Sequence, residues 1–135
     1  MAIQAGDIET PDVPHDMNVL MRYVITKDGS VYAAPKEGDI SMPDQHKDIA
    51  GKYGISVDDI VGSGSIYVSP GMVEVIDCEE GTGPVPTAAA RDLCALMPEK
   101  LTAPRSAERV KYTPNRRSPT PRLVEAWADL GYAFP

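Results

Sequence analysis

The sequence predicts an α+β fold: two β-hairpins forming a small antiparallel sheet, packed by two or three short helices, with Pro-rich extended arms at the N- and C-terminal ends. Two pairs of β-branched and aromatic runs are each split by a turn signal, VLMRYVIT-KDGS-VYAA and SIYVS-PG-MVEVID. Short stretches with helical apolar spacing lie between and after them, bounded by caps and by Gly or Pro. The 13 prolines and 11 glycines in 135 residues favour short elements and many turns.

Residues 1–18 are polar and acidic, contain Pro11 and Pro14, and read as an extended arm. In 19–26, Leu20, Arg22 and Val24 point to one side of a strand, and Met21, Tyr23 and Ile25 to the other. Asp28-Gly29 is a tight-turn pair, so 31–34 form the returning strand. After a loop over 35–43, Asp44 is placed to cap a helix over 45–53 that Gly54 stops, with Ile49 and Tyr53 on one face. Ser56 opens one further turn, with Asp58 and Asp59 near its positive end. Gly62 to Ser65 reads as a loop feeding a strand at 65–69. Pro70-Gly71 then leads to 72–77. Proline fixes φ negative where a two-residue hairpin turn needs it positive, so a bulged or wider connection is expected.

The clearest helix is 87–97, with Thr87 as cap, Pro98 as stop, and Ala90, Leu93, Cys94 and Met97 in line. Residues 98–120 show no sustained period and read as a basic, Pro-rich strap. Thr120 caps a last helix that has Pro121 at its first position, a stripe of Leu123, Trp127 and Leu130, and Gly131 at its end. The chain thus divides into an acidic arm (1–18), an α+β core (19–97), the strap (98–120), and an amphipathic helix with a tail (121–135).

The net charge of −7 is unevenly placed. Residues 1–100 hold 7 Lys/Arg against 17 Asp/Glu, and residues 101–135 hold 6 against 3. The acidic body argues against direct nucleic-acid binding, which needs phosphates neutralised. No apolar run approaches the ~18 residues that span a bilayer, and the N-terminus lacks the basic and apolar regions of a secretory signal. Two cysteines, Cys78 and Cys94, make no disulfide framework, so reduced thiols in a cytoplasmic protein are expected.

Arg105, Arg109, Arg116 and Arg117 are the candidate partner-binding residues of the strap, because guanidinium grips carboxylates and phosphates bidentately. Their target is either the acidic body itself or a second molecule. Tyr112 is the one aromatic residue inside the strap, too few for base stacking along a strand. Trp127 either closes the core or anchors a partner. His46 has Asp44 and Asp48 two residues away on either side, spacings that diverge on a helix, so a plain surface histidine is expected.

With His46, Ser63 and Ser65 define an alternative: a small-ligand or nucleotide pocket beside the Gly62–Ser65 loop. Known phosphate cradles join a strand to a helix and carry a lysine, which this loop lacks. Two histidines without H-E-x-x-H or paired C-x-x-C motifs point to no metal site. No cofactor or catalytic residue is expected.

These features favour a non-enzymatic protein–protein interaction or assembly protein, engaging a protein partner or forming a homo-oligomer. The layout is similar to that of small accessory or structural proteins of phages and mobile elements, a likeness of style that covers no defined residues. A further alternative is an acidic inhibitor that mimics nucleic acid through Asp58, Asp59, Glu79 and Glu80.

Overall fold

The computed structural model describes residues 3–8, 19–35, 45–69, 72–77, 83–96, 112–114 and 117–135. Their elements are β1 (Gln4–Ile8), β2 (Val19–Thr26), β3 (Ser30–Pro35), α1 (Gln45–Tyr53), a 3-10 turn (Val57–Asp59), β4 (Ile60–Ser69), β5 (Met72–Asp77), α2 (Thr87–Ala95), β6 (Tyr112–Thr113) and α3 (Pro121–Asp129). The strands form one sheet in the order β1-β3-β2-β4-β5-β6. Both expected hairpins are present, β2–β3 and β4–β5, and β2 pairs with β4 antiparallel between them.

The class is α+β as the sequence predicts, but the sheet is mixed rather than purely antiparallel. The segment before β2 supplies β1, which pairs parallel with β3, and Tyr112–Thr113 pairs parallel with β5. Gln4–Ile8 lacks strand-like composition and Tyr112–Thr113 is only two residues long, so long-range pairing places both. The loop expected at Gly62–Ser65 is instead the interior of β4. Valine, glycine and serine alternate there, and the small residues suit a strand covered closely on both faces.

β2 lies at the centre and is buried on both sides. Met21, Tyr23 and Ile25 face α2 and α3, in a core with Val31, Ile66, Val85, Leu93, Leu123, Trp127 and Leu130. Val24 faces α1 and packs with Ile49, Ala50 and Ile60, beside Tyr32 and Tyr53. The helices therefore cover both faces of the sheet.

Local sequence signals explain the ends of these elements. In the first hairpin Gly29 (φ 85°) donates its N–H to the Thr26 carbonyl at 2.9 Å. The Asp28 carboxylate accepts from the Thr26 hydroxyl at 2.5 Å and from Ser30 N–H at 3.0 Å. These two donors hold the Asp28 carboxyl below its usual range, the Thr26 bond most of all. The register of β4 against β5 shifts between Tyr67 and Val68, in keeping with an irregular hairpin before Pro70.

Helix α1 closes with Gly54 in the left-handed region and Ile55 N–H on the Ala50 carbonyl at 2.8 Å. At the start of α3 the Thr120 hydroxyl accepts from Leu123 N–H at 3.3 Å, with Pro121 next to it. The 87–97 helix is observed over Thr87–Ala95, with Pro86 rather than Thr87 in the capping position.

The segments 9–18 and 97–111, and with them most of the two expected arms, lie outside the described residues. Trp127 is fully buried, and replacing it with alanine should cost about 3–5 kcal/mol of stability. Urea denaturation of Trp127→Ala checks this; a stability close to that of the parent would contradict the packing.

Candidate functional site

Strand β4 sets out a polar row within the α1-side layer. Its register places Ser63 opposite Val24 and Ser65 opposite Arg22. Ser63 is completely buried and Ser65 nearly so. Arg22 is only 8 % exposed, unusual for a residue that almost always keeps its charge in water. One of its guanidinium nitrogens, Nη1, donates to Ser65 Oγ at 2.7 Å. On the next strand Asp77 is registered opposite Ser65, so Arg22, Ser65 and Asp77 share one row across three strands.

Arg22 was not singled out from sequence, because a single charge in an alternating strand reads as a solvent-facing position. Its neighbours in β2 are apolar on both sides, which is the signal that the strand is central and that its one charge is buried.

His46 is the second residue of α1, the helix that covers Val24 and Ile60. It is thus on a helix over the same sheet face that carries Ser63 and Ser65. The Gly62–Ser65 segment is strand rather than loop, so no exposed backbone cradle forms there.

A second polar group joins three distant parts of the chain. The Tyr132 hydroxyl donates to the Asp92 carboxylate of α2 and accepts from Ile3 N–H at 3.2 Å. Burial raises the Tyr132 pKa first, and the Asp92 bond and charge raise it further, against a smaller opposing effect of Ile3 N–H. Tyr132 reaches this position because α3 ends in a tight reversal. Gly131 N–H bonds the Ala128 carbonyl and Tyr132 N–H the Trp127 carbonyl, each at 2.9 Å. The Tyr132 ring then meets Trp127 edge-on at 5.9 Å. An aromatic residue directly after a helix-ending glycine is the sequence signal for this contact.

Of the strap arginines, Arg105, Arg109 and Arg116 lie outside the described residues, and Arg117 is exposed ahead of α3. Arg122, in the first turn of α3, donates to the Asp58 carbonyl at 2.7 Å. This ties the basic end of the chain to the acidic 3-10 turn. Asp58 and Asp59 are exposed, and Asp59 approaches Lys27 at 3.8 Å in a half-exposed pair of small energetic weight. Glu79 and Glu80 lie outside the described residues.

Trp127 faces inward with no exposed surface. As a partner anchor it is corrected to a core residue: its ring lies against β4 beside Gly62, where a Cβ would come 3.1 Å from Cζ2. Its buried indole Nε1 has no hydrogen-bond partner among the described residues.

Cys94 is a free, buried thiol whose pKa burial pushes up to about 12. It is a core residue rather than a nucleophile. Among the described residues no group of three or more His, Cys, Asp or Glu is placed to hold a metal ion. No described helix is long and apolar enough to cross a membrane. Compared with known protein families, curated proteins and solved structures, the chain matches none.

Two outcomes follow. In the folded protein Cys94 should resist thiol reagents at pH 8 and react on denaturation; mass mapping of labelled peptides reads both states. Tyr132→Phe should lower stability by about 1–3 kcal/mol, since Asp92 and Ile3 N–H lose a buried partner. A tyrosine whose pKa is raised on folding stabilises fully below its unfolded value of about 10, and that contribution fades as pH rises through the folded value. Denaturation midpoints between pH 8 and 11 should therefore fall more in the parent than in Tyr132→Phe.

Proposed function

We propose that this chain is a non-enzymatic protein-interaction or assembly protein of the cytoplasm, with its charged segments and sheet edges as the contact surfaces. The observation that carries this is the make-up of the sheet borders. Both outer strands are short, parallel and drawn from the segments flanking the core. β6 covers only Ile76 and Asp77 of β5, so Met72–Val75 have no further strand neighbour among the described residues. An exposed strand edge is a common docking element for extended peptides.

Several groups among the described residues that chemistry could use are committed elsewhere. The thiol of Cys94 and the hydroxyls of Ser63 and Ser65 are inside the protein, and Tyr132 is bonded at both its donor and acceptor sides. The basic segment with Arg105, Arg109, Arg116 and Arg117 supplies a surface for a carboxylate-rich protein. An accessory role in a phage or mobile element fits this layout.

One observation favours a second reading, small-ligand or nucleotide binding: α1, with His46 in its first turn, covers the sheet face that bears Arg22, Ser63 and Ser65.

One experiment separates the two. Parent, Arg116→Glu/Arg117→Glu and His46→Ala baits are used for capture from native lysate, with bound proteins identified by mass spectrometry. The assembly reading expects one specific partner, lost on charge reversal and kept with His46→Ala. Retention on charge reversal together with loss in His46→Ala would favour the ligand site.

A further inference from the structure

The way β1 is held resembles the way a protein holds a peptide. Ile3 is buried in the main core, and Gln4 N–H bonds the Gly29 carbonyl at 2.9 Å. Gln4 and Ala5 are registered with Ser30 and Val31, and Ile8 with Ala33 after a register shift. Tyr132 Oη accepts from Ile3 N–H, with Asp92 orienting the phenol. Position 6 is selective: a Cβ on Gly6 would stand 2.8 Å from the Val31 carbonyl oxygen and 3.1 Å from the Tyr32 ring. The β3 edge therefore accepts an extended strand with a bulky apolar residue followed three positions later by glycine.

The chain between β1 and β2 is long for the gap it crosses. Ile8 aligns with Ala33, and Ala33 with Tyr23, so Val19 begins four residues farther along β2. Two strand spacings and four residues of rise put Ile8 and Val19 about 16 Å apart. Residues 9–18 supply eleven Cα–Cα steps, which extend to roughly 35 Å or more. A connection of that contour length is long enough for β1 to reach the same edge on a neighbouring molecule.

We infer that the β3 edge is an acceptor for the β1 strand of a second copy, so that the protein dimerises by exchanging β1. The exchanged dimer makes the same contacts as the closed monomer. The balance is then set by protein concentration and by the length of the connection. This deepens the assembly reading by naming one partner for one edge.

The test uses the full chain carrying Cys78→Ser with Gln4→Cys and Ser30→Cys, a registered pair, oxidised and run on non-reducing gels. A companion form also lacks residues 10–16. It keeps four Cα–Cα steps, at most about 14 Å, too short to close on itself. The full chain should give linked dimer that increases as concentration rises toward 1 mM, and the shortened form should be a dimer by light scattering at micromolar concentration. Gly6→Val should abolish the dimer in both.

Linked monomer at every concentration in the full chain, or a folded monomeric shortened form, overturns the exchange. Should the shortened form not fold, the full-chain gel decides alone. A dimer that survives Gly6→Val also overturns the exchange, while leaving assembly through another surface intact.

Discussion

Trp127 reaches the sheet because position 62 of β4 carries no side chain. A methyl group there would press on both the Trp127 ring and Val85. The missing side chain fixes how closely α3 approaches β4, and from that approach come the burial of Leu123 and Leu130 and the direction in which the chain leaves the helix. The reversal at Gly131 then turns Tyr132 back against Trp127 and aims its hydroxyl at Asp92 and Ile3. One glycine in a central strand is thus linked, contact by contact, to α2, α3 and the edge strand β1.

Much of this was legible where the cause is local. The Asp28-Gly29 turn, the Gly54 stop and the Thr120-Pro121 start each use one or two residues whose backbone preference or side-chain acceptor decides the outcome. The stripe of Leu123, Trp127 and Leu130 is a sufficient sign of a buried helix face. What stayed hidden depends on partners far away in sequence. Gln4–Ile8 has little strand propensity and becomes a strand because β3 offers an edge and the core accepts Ile3. Gly62–Ser65 looked like a loop because glycine and serine favour turns. The two-residue alternation of that stretch was the better guide, placing glycines toward α3 and serines toward α1. Arg22 was legible only through the apolar run around it, since burial of a charge depends on the strands beside it, here β3 and β4.

The charge asymmetry has a partial structural counterpart. Arg122 joins the start of α3 to the acidic turn at Asp58 through a backbone carbonyl, so the contact fixes position more than it neutralises charge. Arg117 stands exposed just before it. The described part of the basic segment is therefore anchored at its helical end by Arg122. The Cys94 thiol and the Ser63 and Ser65 hydroxyls lie in the interior, packed away from solvent.

The bond from Ile3 to Tyr132 spans 129 positions, and this orders events during synthesis. A ribosome makes the first strand long before it makes the phenol that secures it. β1 can meet β3 once the first hairpin has emerged, but its clasp forms only when nearly the whole described chain is free of the exit tunnel. β1 consequently waits for its final contact while the intervening residues are made, and on a crowded polysome its nearest alternatives are the unfinished copies alongside it.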